Sequence, residues 1–244
     1  MEIGGWDIAA AFAKAVTYAA TLGASGGIFF TVYCSALLRD NQRVIIRRLI
    51  GILAILGAAV SGLRILLLSG SMGGSLASML DASFVSMILG GGEGRASGLR
   101  IAGLAFVSLA ISRNPIFRAP AAAGAIIAAT SFAWVGHAHA LSPNIAPVLI
   151  LCLHLLCAAF WLGALAPLWI IAAGGNETQI AAAAARFGKI ALRVVALLLA
   201  AGASLLWMLI GDAGQFWRSD YGYMMLAKLL AVALILGLAA WNGS

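Results

Sequence analysis

The chain has 244 residues, of which 63% are hydrophobic and only 9% are charged, and its mean hydropathy is +1.05. Because soluble domains carry about 25% charged residues, this composition excludes a water-soluble globular protein and predicts an integral membrane protein in a lipid bilayer. The formal net charge of +7 does not indicate nucleic-acid binding, because no basic cluster is interleaved with aromatic or polar contact residues.

Apolar runs long enough to cross a bilayer recur along the whole chain. A transmembrane helix needs about 20 predominantly apolar residues, and we predict seven spans, at roughly 8–37, 44–68, 95–112, 119–141, 146–173, 186–211 and 221–241. The segment Met1–Asp7 lacks the basic region of a signal peptide, so the first run is expected to remain as a span. The predicted fold class is all-α, a polytopic transmembrane helical bundle that forms a single transmembrane domain over residues 1–244.

The segment at about 70–92 is rich in glycine and serine and contains Asp81. We predict a short amphipathic or re-entrant segment here, not an eighth span. Met72, Met79 and Met87 are spaced by seven and eight residues and are expected to share one helical face. They are either sulfur donors for a soft metal or flexible apolar filling, and the sequence leaves their role open.

Positive charges favour one orientation of the seven spans. With the N-terminus outside, the cytoplasmic side receives most of them: Arg39, Arg43, Arg47, Arg48, Arg113, Arg118, Arg186, Lys189 and Arg193. The positive-inside rule therefore predicts an outer N-terminus and a cytoplasmic C-terminus for this chain. Four other basic residues fall within a turn or two of outer helix ends and are expected to snorkel to the headgroups: Lys14, Arg64, Arg100 and Lys228.

The spans also suggest an internal repeat. Three helices in residues 1–112 are followed by a central helix at 119–141 and by three more in 146–242, and Gly62 and Gly202 occupy corresponding positions. We interpret this order as a parallel repeat of two three-helix halves around a central helix. Frequent glycine and alanine fit close helix packing in lipid.

Candidate metal donors are concentrated between Thr130 and Pro167, which contain all three histidines and two of the three cysteines. His137 and His139 lie at the outer end of the fifth predicted span, and His154 lies about eight residues into the sixth, roughly 12 Å along the helix. We expect His137 and His154 to approach each other in the outer half of the bilayer. Imidazole suits copper, zinc or iron, and an ionisable residue within a membrane suggests a functional site.

Other donors in this stretch are less clear. Cys157 follows His154 by three residues and shares a helical face with it, so it is a candidate thiolate ligand, as is His139 for imidazole. The alternatives are that His139 is solvated near the loop, that Cys157 is a core residue, and that each histidine makes one interhelical hydrogen bond. Cys152 and Cys34 are expected in the core. Because no nucleophile–base pair, phosphate-binding loop, dinucleotide fingerprint or zinc-protease helix occurs, we expect no enzyme activity.

The residues around these donors form a pattern that is similar to a known family. GHA at 136–138 and LHLLCAAFWLGAL at 153–165 resemble the signature of the copper-resistance D family (CopD/PcoD). The rest of the second half agrees, with RF at 186–187, Gly202, DYG at 220–222, Lys228 and AAWN at 239–242. The resemblance covers about 130–242 well and the first half loosely.

The resemblance implies a protein of the bacterial inner membrane that moves copper from the periplasm into the cytoplasm. The outer N-terminus predicted from the charges is then periplasmic. It also implies a periplasmic copper-binding partner of the CopC type, and His137 and His154 correspond to the family's membrane histidines. His139 and Cys157 stand where the family often has alanine. The family usually continues past the position of Asn242 with a further span, whereas this chain ends at Ser244, so we expect a truncated sequence.

Three functions remain open from the sequence. The first is copper import, as Cu(I) or Cu(II), through a periplasmic-side site at His137 and His154, with His139 or Cys157 assisting. The second is a membrane b-type haem protein in which the same two histidines are axial ligands. The third is a copper-binding or docking module that does not transport. Below His154 only Cys157 suggests a route onward to the cytoplasm.

Overall fold

A computed structural model describes residues 5–135 and 145–209, together with four helical positions at 222, 223, 226 and 230. The chain divides into two compact units, Met1–Gly202 and Ala203–Ser244. In the described residues every regular element is a helix. The α-helices are α1 (Gly5–Cys34), α2 (Asp40–Gly73), α3 (Ala82–Gly90), α4 (Gly92–Ser108), α5 (Arg118–Thr130), α6 (Ala146–Gly174) and α7 (Glu177–Leu209).

Within the described ranges, six stretches are long and apolar enough to cross a membrane: Ile8–Leu37, Asp40–Gly73, Gly92–Ile111, Pro115–Trp134, Ala146–Gly174 and Glu177–Met208. They correspond to the first six predicted spans, and the prediction of an all-α polytopic bundle is confirmed. The last stretch begins at Glu177 and not at 186, because the alanine run at 181–185 is strongly helix-forming. The seventh predicted span, at 221–241, lies outside the continuously described residues. The protein is a multi-pass membrane protein.

The connection between α2 and α4 does not cross the membrane. Gly74 ends α2 in the left-handed conformation, at φ 69°, and a 3₁₀ turn at Ala77–Leu80 leads to the nine-residue helix α3. At 1.5 Å per residue α3 is about 14 Å long, well short of a hydrocarbon core of about 30 Å. The segment folds back on α2, where the Ser69 hydroxyl donates to the Ser78 carbonyl at 2.6 Å. The prediction of a short segment in place of an eighth span is confirmed.

The start of α3 is capped by Asp81. Its carboxylate accepts hydrogen bonds from the backbone N–H of Ser83 at 2.8 Å and of Phe84 at 3.4 Å, and also from the Ser83 hydroxyl. The hydroxyl bond and the backbone bonds stabilise the ionised form and lower the pKa of Asp81. Such a cap fixes the direction in which the chain leaves the connection.

The predicted shared face of the three methionines is wrong. Met72 lies in α2, Met79 in the 3₁₀ turn and Met87 in α3, because the left-handed Gly74 interrupts the helix between the first two. Met79 packs over Gly70 beside the ring of Trp6. It therefore acts as apolar filling between the connection and the bundle, while Met72 and Met87 are exposed.

α1 packs closely against α6 where two glycines meet. A Cβ atom on Gly26 would lie 1.7 Å from the Ala159 carbonyl oxygen, and one on Gly163 would lie 2.3 Å from the backbone of Gly26. Only residues without a side chain allow the two backbones to approach this closely. The main core continues from this crossing through α2, α4 and α5, with Phe30, Ile46, Leu104 and Ala125 fully buried.

The bundle has two different ends. At one end the Arg39 guanidinium donates to the Gly174 carbonyl at 2.9 Å, and the Gln179 amide donates to the Leu37 carbonyl at 2.7 Å. The α1–α2 and α6–α7 connections thus lie together, and we call this the arginine end. The opposite end holds the connection at 74–91 and the 3₁₀ turn Ser131–Trp134. His137 and His139 follow that turn in the sequence.

Candidate metal site

Two of the four predicted ligands can be located. His154 and Cys157 lie on α6, one turn apart, whereas His137 and His139 fall in 136–144, outside the described residues. The close approach of His137 to His154 therefore stays a prediction. Within the described part of the chain, no group of three or more His, Cys, Asp or Glu residues could hold a metal ion. His154 and Cys157 would need donors from elsewhere in the chain.

The imidazole of His154 is partly buried and turned towards α7. Its Nδ1 lies 3.0 Å from the backbone carbonyl oxygen of Leu198. Because a carbonyl oxygen can only accept, Nδ1 donates in this bond, and in a neutral ring the lone pair is then on Nε2. Metal-binding histidines commonly donate their other ring N–H to a carbonyl in this way, which fixes the ring orientation and the tautomer.

Gly202 makes room for this ring on α7. A Cβ atom at position 202 would lie 3.2 Å from His154 Cε1 and 3.5 Å from Nδ1. The glycine stands one turn after Leu198, on the side of α7 that the imidazole contacts. The pairing of His154 with a helix position that has no side chain thus allows the ring to reach the backbone.

The three cysteines lie in different surroundings. Cys157 is buried, with 6% of its surface exposed, and precedes Gly163 of the α1–α6 crossing by six residues. Cys152 is half-buried and packs against a small apolar cluster, while Cys34 is buried in the main core. Cys34 therefore occupies the core position that the sequence predicts, and Cys152 lies at the edge of a core cluster.

The small apolar cluster joins the chain on both sides of residues 136–144. Phe132 and Ala133 precede this stretch, Val148 and Leu155 follow it, and all four belong to one buried group with Leu22. Leu155 is the residue directly after His154. The end of the fifth span and the start of the sixth are thus packed together near the candidate ligand.

A line of polar residues, all buried except the partly buried Tyr18 and Glu93, crosses the interface of α1, α2 and α4, and we call it the polar seam. It consists of Tyr18, Thr21 and Ser25 on α1, Ser61 and Arg64 on α2, and Glu93, Ser97 and Arg100 on α4. On each helix these residues recur at spacings of three or four, so they share a face. Thr21 marks the contact with α2, because a Cβ on Gly57 would lie 3.2 Å from its hydroxyl.

The two arginines of the polar seam are buried in the protein. Arg64 is 9% exposed and forms an ion pair with Glu93 at 3.1 Å. Arg100 is 1% exposed, donates from Nε to the Ser131 hydroxyl at 3.1 Å, and lies 4.0 Å above the ring of Phe132. The prediction that these side chains snorkel is wrong, whereas Lys14 is exposed and Lys228 lies outside the described residues.

The seam has more positive than negative charge. It contains two guanidinium groups and one carboxylate, and three of its hydroxyls (Thr21, Ser25 and Ser97) as well as Arg100 Nη1 have no hydrogen-bond partner in the described structure. A net positive interior disfavours a metal cation, so the seam is unsuitable as a copper path. The spacing of Glu93, Ser97 and Arg100 within an apolar helix is a sequence signal for this interface that the prediction of snorkelling side chains overlooked.

Comparison with known families decides the relationship. Residues 6–144 match the copper resistance protein D-like N-terminal domain, and residues 181–244 match copper resistance protein D. The chain belongs to the copper-resistance D family. The function of this copper-resistance D protein is therefore related to copper resistance and copper transport.

The two matches cover the candidate ligands unequally. His137 and His139 fall within the N-terminal domain match, while His154 and Cys157 lie between the two matched ranges. No curated protein and no solved structure matches the chain.

Proposed function

We propose that this copper-resistance D protein imports copper ions across the bacterial inner membrane, through a periplasmic-side site formed by His137 and His154. The observation that carries the proposal is the bond between His154 Nδ1 and the Leu198 carbonyl. It directs the lone pair of Nε2 away from that contact, as in histidines that bind metals. Family membership supplies copper as the cargo.

The other donors take assisting roles in this proposal. The packing of Ala133 with Leu155 in one apolar cluster supports the approach of His137 to His154. His137 follows Ala133 by four positions, a chain length of about 14 Å at most. His139 adds a third imidazole near the same loop. Cys157 lies one turn further along α6 and offers a thiolate, which favours Cu(I).

The onward route is assigned to the side of α6 that carries His154 and Cys157. The polar seam is the other polar passage in the described bundle, and its net positive charge opposes a copper cation. Cys157 is deeper than His154 if copper enters from the end that holds residues 131–135. A thiol at this depth provides a second, softer donor for an ion that leaves the histidines.

The proposal includes an orientation and a partner. The arginine end faces the cytoplasm, as the positive-inside rule requires, and the N-terminus and the histidine loop face the periplasm. A periplasmic copper-binding protein of the CopC type delivers copper to the loop end. The chain acts as a transporter and not as an enzyme.

Copper accumulation in bacterial cells tests the proposal. We expect cells that express the chain to accumulate more copper than cells with an empty vector, and His137→Ala or His154→Ala to abolish the difference. Cys152→Ser, which changes a half-buried thiol two residues before His154 on a different side of α6, serves as the control and keeps full uptake. Equal uptake by wild type and both histidine variants would reject the site.

An absorption spectrum separates this proposal from the haem alternative. Haem held by His137 and His154 would give the purified protein a strong Soret band that both histidine variants lose. We expect the purified protein to lack that band. Copper bound by protein that fails to transport would instead favour a binding or docking module.

A further inference from the structure

A cavity of about 470 Å³ opens at the arginine end of the bundle, well away from His154. It lies where α1 ends, α2 begins, and the connection at 109–117 leads into α5. Its inner wall is apolar and includes Ile28, Val32 and Ile50. Val32 is 61% exposed, so the apolar wall continues onto the outer surface of the bundle.

Four arginines line this cavity: Arg43, Arg47, Arg113 and Arg118. No Asp or Glu is among the described residues that line it. The nearest described acid is Asp40, whose carboxylate is 3.6 Å from Arg43 and whose side chain is 99% exposed. An exposed pair of this kind contributes little and leaves the positive charge of the cavity uncompensated.

The guanidinium groups retain donors for a ligand. Arg43 donates to the Ser35 carbonyl at 2.9 Å, but its Nε is buried with no hydrogen-bond partner in the described part of the chain. The side chains of Arg47, Arg113 and Arg118 make no hydrogen bond or ion pair with any described residue. Since Arg43 and Arg47 are one turn apart on α2, they present donors on the same face.

We propose that this cavity binds an anionic glycerophospholipid, with its phosphate among the four arginines and an acyl chain along the apolar wall. Arginine suits phosphate because its planar donors bind two oxygens at once. The position favours a lipid, because the arginines stand at the ends of membrane spans, at headgroup level, and the apolar wall extends into the bilayer. A copper cation is repelled by the same charges, so this site is separate from the copper route.

Thermal unfolding of the detergent-purified chain with added lipid tests the proposal. We expect dioleoylphosphatidylglycerol to raise the unfolding temperature saturably, and dioleoylphosphatidylcholine at equal concentration to have a smaller effect. The variant Arg47→Gln/Arg113→Gln removes two cavity arginines that have no internal bonds, so its fold is expected to persist. Its apparent affinity for phosphatidylglycerol should fall about tenfold or more.

A charge-matched variant supplies the control. Arg48→Gln/Arg95→Gln removes two exposed arginines that do not line the cavity and should bind the lipid as wild type does. Equal stabilisation by the two lipids would overturn the proposal. An equal loss of affinity for phosphatidylglycerol in both double variants would also overturn it. Stabilisation by inorganic phosphate that matches that of phosphatidylglycerol would identify a soluble-anion site and would also overturn it. If the cavity variant unfolds without lipid, native mass spectrometry of the wild-type protein replaces it as the test. Retention of more phosphatidylglycerol than phosphatidylcholine would support the proposal, and equal retention would overturn it.

Discussion

The His154 imidazole contacts a main-chain carbonyl of α7, that of Leu198. A carbonyl fixes the ring without adding a charge to the membrane interior, where unpaired charges are costly. In a neutral ring it leaves the lone pair on Nε2. The contact joins residues 44 positions apart, so it depends on how α6 packs against α7.

Gly202→Ala tests whether this contact positions the ring for copper. The new methyl group would lie 3.2 Å from His154 Cε1, so the imidazole must shift and its bond to the Leu198 carbonyl must weaken. We expect copper affinity to fall about tenfold, as for other residues that orient a metal ligand. Copper titration of the purified variant measures this change.

Gly188→Ala on the same helix is the matched control, because no atom lies within 4 Å of a Cβ at that position. It should bind copper as wild type does. Wild-type affinity in the Gly202 variant would show that the ring orientation is irrelevant to binding.

The Arg64–Glu93 pair of the polar seam predicts a large stability effect. Glu93→Gln leaves the Arg64 guanidinium buried without its counter-charge and should lower the free energy of unfolding by about 3 kcal/mol. The double variant Arg64→Gln/Glu93→Gln removes both charges and should lose less than the sum of its single changes. Unfolding in detergent measures the free energies of Glu93→Gln, Arg64→Gln and the double variant.

Glu177→Gln controls for the loss of a carboxylate, because Glu177 is exposed at the start of α7. Its stability should match that of wild type. If Glu93→Gln also left the free energy of unfolding unchanged, the ion pair would contribute nothing to the stability of the fold.

At the scale of helices, the crossing of α1 and α6 is the tightest backbone contact described above. Gly163→Ala would place a methyl group 2.3 Å from the Gly26 backbone, which cannot move aside as a side chain can. Forcing the helices apart should cost about 1–3 kcal/mol. Gly62→Ala in α2, where nothing lies within 4 Å of a Cβ, should be tolerated. Thermal unfolding compares the two, and equal stability would contradict the crossing.

The spans were predictable because each depends on local composition. Long apolar runs mark six of the described helices, and the glycine- and serine-rich stretch near Asp81 marked the segment between α2 and α4, which is too short to cross. The shared face of Met72, Met79 and Met87 failed because the spacing argument assumes one continuous helix. Gly74 at φ 69° ends that helix, and a single residue of this kind outweighs the periodicity.

The burial of Arg64 and Arg100 was missed for a different reason. Position in the sequence gives the depth of a residue in the membrane but not the direction its side chain takes. Snorkelling and burial at that depth differ only in which neighbours surround the helix face. The repeated spacing of Tyr18, Thr21 and Ser25 opposite Glu93, Ser97 and Arg100 indicates the buried face once the packing of α1 on α4 is known.

For the candidate site, residue type predicted His154 as a ligand and topology predicted its depth, and both stay predictions. Its partner Leu198 could not be predicted, because any carbonyl on a neighbouring helix is chemically equivalent in the sequence. The family pattern also marked Gly202, and the structure supplies a physical reason for that glycine. His137 and His139 remain sequence predictions.

Across the whole molecule, the two ends differ in charge and in structure. The arginine end carries the cavity lined by four arginines and the α1–α2 and α6–α7 connections. The opposite end carries α3 and the 3₁₀ turn Ser131–Trp134, which precedes His137 in the sequence. This asymmetry predicts a fixed orientation, with the arginine end in the cytoplasm.

Cysteine labelling in intact cells tests the orientation. In a background with Cys34, Cys152 and Cys157 replaced by alanine, Ser75→Cys should react with a membrane-impermeant maleimide applied from the periplasmic side. Asn176→Cys, exposed at the arginine end, should react only after the membrane is opened. The reverse pattern would invert the proposed topology.

The most direct test of the central claim is copper uptake into proteoliposomes that contain only this protein. We predict that wild-type protein fills the vesicles with copper, that His137→Ala and His154→Ala reduce the rate to that of protein-free vesicles, and that Cys152→Ser keeps the wild-type rate. Transport at the wild-type rate by both histidine variants, or no transport by wild-type protein that binds copper, would contradict the account.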